Sequence, residues 1–350
     1  MPGGEDVRPR WMIYALGGGA GHLTRVTALA RAAVRRFEQS SQSALAPDIC
    51  ILTNSPFARV VPVARELGDR HRLIQLDHHL SHASVTAEVR TVLAAESFDV
   101  LVVDTFPRGL GGELPEVLAT LSCPKVLIHR DLNPNYVEQH DVEAAVGAYD
   151  LIVVPGESAA FDTMLQAVRT EPWLIRDCDQ LRSVAQSRTV LGATDQSKPV
   201  VVVMGSGTAA EIREMERLAA ELDGKFGHRC QIRFTAPNLS LANNRLSIWP
   251  LLEVMPGIDI MIGNGGYNTV NEVKATGTRF IGIARERLYD RQQRRLLQLG
   301  GLNKATDVAE RLNELLVAGV KSSDKTTYVN GVHQAVRLIV QLVSNDSPNH

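Results

Sequence analysis

The stretch Gly263–Gln293, GNGGYNTVNEVKATGTRFIGIARERLYDRQQ, decides how the rest of the chain is read. An apolar run, Ile258–Ile262, leads into the glycine loop Gly263-Asn264-Gly265-Gly266. The spacing after it predicts a helix that opens with Thr269 and Glu272, three residues apart and roughly on one face. A second apolar run, Arg279–Ile283, follows, then a polar loop and the cluster Asp290-Arg291-Gln292-Gln293. Strand, glycine turn, helix and strand make a βαβ unit. Glycines let backbone approach a ligand closely, and a helix N-terminus favours an anion. A carboxylate accepts hydrogen bonds from both ribose hydroxyls, and side-chain amides donate and accept around a pyranose ring. The segment therefore suits a nucleotide and a sugar. An ordinary βαβ unit with a capping threonine would show the same local pattern.

Outward from this unit the pattern repeats. Trp11–Leu16, Ile49–Thr53, Leu73–Leu76, Val100–Val103, Val126–Ile128 and Leu151–Val154 are short apolar runs separated by helical spacing, the first helix covering Leu23–Phe37. A second series starts with the strand Pro199–Met204 and continues through a helix, Ala209–Phe226, and strands at Gln231–Phe234 and Leu246–Trp249. Runs this apolar are expected from parallel strands covered on both faces, so the fold class is α/β with open parallel sheets. Residues 1–9 read as a tail and Ser40–Pro47 as a flexible loop. The expected organisation is a Rossmann-like domain over residues 1–176, a polar connection over 177–198, a second Rossmann-like domain over 199–327, and a final helix, about Tyr328–Val343, packing back on the first domain.

Composition narrows the class of function. The 350 residues carry 37 Lys plus Arg against 39 Asp plus Glu, which gives no electrostatic argument for nucleic acid or for an anionic membrane. The four cysteines are scattered, with no C-x-x-C pair, so neither a structural zinc site nor a disulfide frame is indicated and a reducing, cytoplasmic setting is expected. No stretch approaches a membrane span of about 20 apolar residues. His78-His79-x-x-His82 reads as a polar loop, and Asp177-Cys178-Asp179 lies in the expected connection, so no metal and no cofactor are expected.

Three further loops carry chemistry. The first strand runs into Gly17-Gly18-Gly19-Ala20-Gly21-His22, beyond the carboxyl end of a strand, where open α/β sheets bind ligands. An imidazole there serves as a base or as a phosphate donor. Met204-Gly205-Ser206-Gly207-Thr208 offers backbone N–H groups to a diphosphate, and serves equally as a tight turn with Thr208 as N-cap. Asp104-Thr105-Phe106-Pro107-Arg108-Gly109-Leu110-Gly111-Gly112-Glu113 follows a first-domain strand, with Asp104 and Glu113 as acid–base candidates. His129-Arg130-Asp131 ends another strand on the same side.

The donor stretch resembles that of family-28-type glycosyltransferases, among them the peptidoglycan lipid-intermediate GlcNAc transferase. Their pattern of Gly-x-x-Thr-x-x-Glu followed by Asp-x-Gln-Gln stands here as Gly266 to Glu272 and Asp290 to Gln293. Gly-x-Gly-His, Gly19 to His22, marks the same enzymes. Where many members carry proline after the histidine, this chain has Leu23-Thr24-Arg25, and Gly-x-Gly-His-x-x-Arg is similar to the nucleotide-sugar hydrolase of pseudaminic acid synthesis. Phe106 to Leu114 resembles a stretch of bacterial predicted glycosyltransferases.

The resemblance implies the GT-B fold, two Rossmann-like domains facing across a cleft, and metal-free transfer from a nucleotide sugar, a UDP-sugar first, to a small-molecule or lipid-linked acceptor. It implies His22 at the reacting centre, with Gly19, Gly21, Arg25 and Asp131 on the acceptor side. On the donor side it implies Gly205, Ser206, Gly207 and Thr208 at the diphosphate, with Arg285 or Arg287 replacing a basic residue that this loop lacks. Gly265, Gly266, Asn268 and Thr269 would line the nucleotide, Glu272 would hold ribose, and Asp290, Gln292 and Gln293 the sugar. Nucleotide-sugar hydrolysis and a non-catalytic nucleotide-sugar-binding subunit are the alternatives.

Overall fold

The structure, a computed structural model, describes residues 8–39, 45–68, 71–236, 245–299, 307–319 and 327–346. The first seven residues of the tail and residues 40–44 of the loop read at Ser40–Pro47 lie outside the described residues. The chain forms two compact units. One runs to Trp173 and takes up the chain again from Asn330; the other is Leu174–Val329.

The first unit is built on β1 (Arg10–Tyr14), β2 (Asp48–Thr53), β3 (Arg72–Gln75), β4 (Val100–Asp104), β5 (Lys125–Ile128), β6 (Leu151–Pro155) and β7 (Ala167–Thr170). The strands are all parallel, in the order β3-β2-β1-β4-β5-β6-β7. The order reverses between β1 and β4, where such sheets open a crevice at the carboxyl ends of the strands. Helices α1 (Ala20–Gln39), α2 (Val63–Leu67), α3 (His82–Ala95), α4 (Leu114–Thr120), α5 (Pro134–Gln139) and α6 (Val142–Gly147) make the crossovers. Trp11, Met12, Ile13 and Tyr14 of β1 are all buried, so this strand is covered on both faces. That is why it reads as a continuous apolar run rather than an alternating one.

The second unit holds α7 (Val184–Val190), β8 (Val200–Met204), α8 (Ala209–Phe226), β9 (Gln231–Thr235), β10 (Arg245–Leu246), β11 (Ile260–Asn264), α9 (Tyr267–Thr276), β12 (Arg279–Ile283), α10 (Gln292–Gln298) and α11 (Val308–Val317). Its sheet is parallel too, in the order β10-β9-β8-β11-β12, and reverses between β8 and β11. The helix α12 (Val332–Asp346) packs on α1 in the first unit.

Four local readings are revised. β7, with the sequence AVRT, was not read as a strand, because three of its four residues are only half-buried or exposed and an edge strand needs no apolar run. The polar segment read as a connection forms α7, whose N-cap Ser183 accepts from the Gln186 amide, and packs on the 3-10 helix Leu251–Gly257. α1 begins at Ala20, so His22 stands on the first turn of the helix rather than in the loop before it. Tyr328 lies ahead of α12, its hydroxyl donating to the Arg176 carbonyl at 2.7 Å and its amide donating to Cys178 Sγ at 3.1 Å. Among the described residues no helix is long and apolar enough to cross a membrane.

Candidate functional site

The reversal point of the first sheet gathers a compact polar cluster. β4 ends on Asp104, whose side chain is fully buried. His22 Nδ1 lies 2.6 Å from Asp104 Oδ2. Arg25, one turn further along α1, donates through Nε to Oδ1 at 2.7 Å and through Nη2 to Oδ2 at 2.6 Å. Nη2 also donates to Thr105 Oγ1 at 2.9 Å. Burial alone would raise the Asp104 carboxyl pKa; the Arg25 charge and the bonds from His22 and Arg25 override it and hold the group well below its ordinary value. Asp104 is therefore a fixed anion, not a group that exchanges protons near neutrality.

His22 is held on its other sides as well. Its ring stacks on Phe106 with centroids 5.5 Å apart. Gly17 lies against the opposite edge, with φ +150°, and a Cβ there would sit 2.6 Å from His22 Cδ2. The Gly17 amide donates to Asn54 Oδ1 at 2.8 Å, which pins the loop. With Nδ1 committed to Asp104, the outer nitrogen Nε2 is the one left to meet a substrate on a side chain 17% exposed. Thr105 follows in the left-handed region at φ +71°, where a β-branched residue is strained by about 1–3 kcal/mol. Its amide bonds to the Ile128 carbonyl and its hydroxyl receives Arg25, which together hold it there. Asp104→Ala leaves the Arg25 guanidinium buried without its carboxylate. We expect a loss of about 3–5 kcal/mol, read as a lower midpoint in urea.

Glu113 is not part of this cluster. It is fully buried, accepts the Tyr14 hydroxyl at 2.5 Å, and accepts the Gly111 amide at 2.8 Å. Gly109, at φ +79°, leaves it room, since a Cβ there would meet the carboxylate at 2.5 Å. With Tyr149 donating to the Pro107 carbonyl at 2.8 Å, Glu113 ties the glycine-rich loop to the core. Asp131 is buried and receives its place from Glu157, whose carboxylate bonds the Asp131 amide at 3.4 Å and Arg130 at 3.3 Å. His129 bonds the Ala160 carbonyl through Nε2 at 2.5 Å, and burial lowers its pKa. Gly19 and Gly21 flank the start of α1.

In the second unit the loops after β8 and β11 meet. Asn264 Nδ2 donates to the Ser206 carbonyl at 3.0 Å and lies 3.3 Å from its hydroxyl. Thr208 caps α8: its Oγ1 accepts the Glu211 amide at 3.3 Å, and its own amide bonds Glu211 Oε2 at 2.7 Å. Glu211 in turn holds Arg287 through two bonds of 2.7 and 2.9 Å. Arg285 pairs with Glu214 through two bonds of 3.0 Å and reaches Asn264 Oδ1 at 3.1 Å. Both arginines, expected to stand open for a diphosphate, are thus bidentate partners of carboxylates on α8. The N-terminus of α9 differs. Its N-cap is Gly266, and no side chain caps it.

Glu272 lies on the sixth residue of α9, past the first turn where the sequence placed it, and it is buried. No hydrogen bond or ion pair reaches its carboxylate among the described residues. Burial pushes its pKa up to about 7. Thr269 is buried on the same face. Of the remaining expected residues, Gln292 is buried and accepts the Arg285 amide at 3.1 Å, Asp290 pairs with Arg295 at 2.6 Å, and Gln293 is exposed.

Three of these partners were invisible to local reading. Tyr14 lies inside an apolar strand, Asn54 directly follows the strand read at Ile49–Thr53, and Asn264 was read only as a loop residue. The acids of α8 belong to a helix with an ordinary surface pattern. Asp77, His78 and His79 bring ligand atoms within 4.8 Å of one another on an exposed turn.

No family model matches the chain, and no curated protein does. Solved structures do match in fold. The glycotransferase of kitacinnamycin superposes with a TM-score of 0.61 at 13% identity, over 96% of this chain and 100% of that one. UDP-GlcNAc 2-epimerase from Neisseria meningitidis bound to UDP-GlcNAc gives 0.61 at 13% identity, again over 96% and 100%. Acinetobacter baumannii MurG gives 0.50 at 13% identity, over 96% and 99%. The likeness is one of fold: the chain is an α/β protein of the GT-B fold, with two parallel sheets of seven and five strands.

Proposed function

We propose that the protein is a glycosyltransferase that moves a sugar from a nucleotide-diphosphate sugar, a UDP-sugar first, to an acceptor hydroxyl or amine without a metal. The observation that carries this reading is Glu272, a buried carboxylate that no hydrogen bond or ion pair reaches among the described residues, on a helix whose N-cap Gly266 makes no side-chain cap bond. A buried acid left unpartnered is costly unless a ligand completes it. Two ribose hydroxyls donate what it lacks, and the positive end of the α9 dipole suits the diphosphate. Structures of this fold that hold UDP-GlcNAc or thymidine diphosphate support the ligand class. The four cysteines are all free, which suits a reducing cytosol.

The chemistry divides between the units. In the first, His22 Nε2 takes the proton of the acceptor as its oxygen or nitrogen attacks the anomeric carbon. The Asp104 anion fixes the ring through Nδ1–H and stabilises the imidazolium that forms. In the second, the helix dipole of α9 stabilises the charge that develops on the departing nucleotide diphosphate. Arg285 and Arg287 would add to this only by leaving their carboxylate partners.

Hydrolysis is the second reading, favoured by the Gly-His-x-x-Arg sequence, with water in the place of the acceptor. A panel of UDP- and dTDP-sugars incubated with hydroxyl and amine acceptors, followed by mass spectrometry, separates the readings. Nucleotide diphosphate released only with acceptor, beside a glycosylated product, supports transfer. Release in water alone supports hydrolysis. An isomerised nucleotide sugar means epimerisation, and binding without turnover means a binding subunit. Transfer is expected to persist in excess EDTA. Loss with EDTA and recovery with a divalent ion would reject the metal-free route.

A further inference from the structure

The base assigned to His22 shares its carboxylate with a second cation, and this sharing has a consequence for the reaction. Asp104 Oδ2 receives both His22 Nδ1 and Arg25 Nη2, each at 2.6 Å, and the two nitrogens lie 3.4 Å apart. In a simple pair the carboxylate's charge favours the imidazolium. Here a guanidinium that cannot lose its proton already neutralises that charge from 1% exposed surroundings.

We propose that Arg25 is a positioning and tuning residue: it fixes Asp104 and Thr105 in place, and it withholds part of the Asp104 charge from His22. Three observations carry this independently of any substrate. The guanidinium grips both Asp104 oxygens, a planar fork that a lysine does not reproduce. Its third bond holds the hydroxyl of Thr105, the residue with left-handed backbone next to Asp104. The charged groups bonded to His22 are Asp104 and Arg25. α1 supplies Arg25, the end of β4 supplies Asp104, the loop after it the neutral Thr105 and Phe106, and the loop after β1 presents the backbone of Gly17.

The role rests on the reading of His22 as the base, but its test does not need turnover. The protein is labelled at its histidines, and the His22 signal is assigned by its loss in His22→Asn. The signal is then followed by NMR as the pH is varied. Arg25→Met gives Asp104 wholly to His22, and the pH at which His22 titrates is expected to rise by about one unit or more. Arg25→Lys keeps a buried cation, which protects the fold, and frees one Asp104 oxygen, so a smaller rise is expected. Where turnover is measurable, the acid limb of kcat moves to higher pH by the same amount, and donor KM does not follow. An unchanged His22 titration in either folded variant overturns the proposal, whatever the enzyme proves to catalyse. Absence of any turnover, with the titration shifted as stated, overturns the transferase reading and leaves this one standing.

Discussion

Replacing His22 by alanine is expected to cut turnover by about 10²–10⁴-fold, the range lost with a positioned general base. The size follows from how completely the ring is held. Asp104 fixes one nitrogen, Phe106 stacks on a face, and Gly17, lacking a Cβ, leaves the ring its place. That arrangement fixes the tautomer with hydrogen on Nδ1 and leaves Nε2 to accept. Donor affinity, measured by calorimetry, is expected to stay within a factor of a few, because the residues proposed to hold the donor all lie in the second unit. If His22 served as a phosphate donor instead, affinity would fall together with turnover. Wild-type turnover in a folded His22→Ala protein would remove the base from the account. Asp104 is not a substitute, since it is locked as an anion by Arg25.

The second large effect is a pH dependence of donor binding set by Glu272. Its carboxyl, raised by burial from 4.5 to about 7, holds a proton in the free protein below that pH. Ribose hydroxyls donate to the carboxylate, so binding selects the ionised form and expels the proton. Affinity for a UDP-sugar is therefore expected to fall roughly tenfold for each pH unit below 7 and to level off above it. Stability of the free protein moves the other way. The folded state keeps a proton that the unfolded chain releases, so this group costs stability as pH rises from about 4.5 through 7, and no more beyond. Glu272→Gln is expected to bind about 1.5–3 kcal/mol more weakly at pH 8 and to lose the pH dependence. A UDP-sugar is the right probe, because its diphosphate has no terminal phosphate titrating in the same range. A pH-independent wild-type affinity would exclude Glu272 as the ribose acceptor.

Much of this was legible along the chain, because the signals are local. The helix Ala209–Phe226 and the strand Arg279–Ile283 follow directly from their apolar spacing. The parallel sheets follow from strands too apolar to face water. The glycine turns after β1, β8 and β11 were legible as well, and they fall at the two reversal points. What stayed hidden was pairing. Arg25 and Asp104 are 79 positions apart, and Arg285 and Arg287 find Glu214 and Glu211 over 71 and 76. Charge that looks free in a sequence is bound once the sheet brings its partner alongside. The same applies to Glu113, which a motif presents as an acid–base candidate and which Tyr14, 99 positions away, turns into a loop anchor. Edge strand β7 was missed for the opposite reason, since an edge makes no demand on apolarity.

The central claim is that Glu272 and the start of α9 form a nucleotide-sugar donor site. Calorimetric titration of the wild-type protein and of Glu272→Ala with UDP-sugars and dTDP-sugars at pH 8 tests it most directly. The account expects saturable one-to-one binding of at least one such sugar to the wild type, weakened about 10–150-fold in the folded variant. Equal affinity in the two proteins, or no binding of any nucleotide sugar to the wild type, would contradict it.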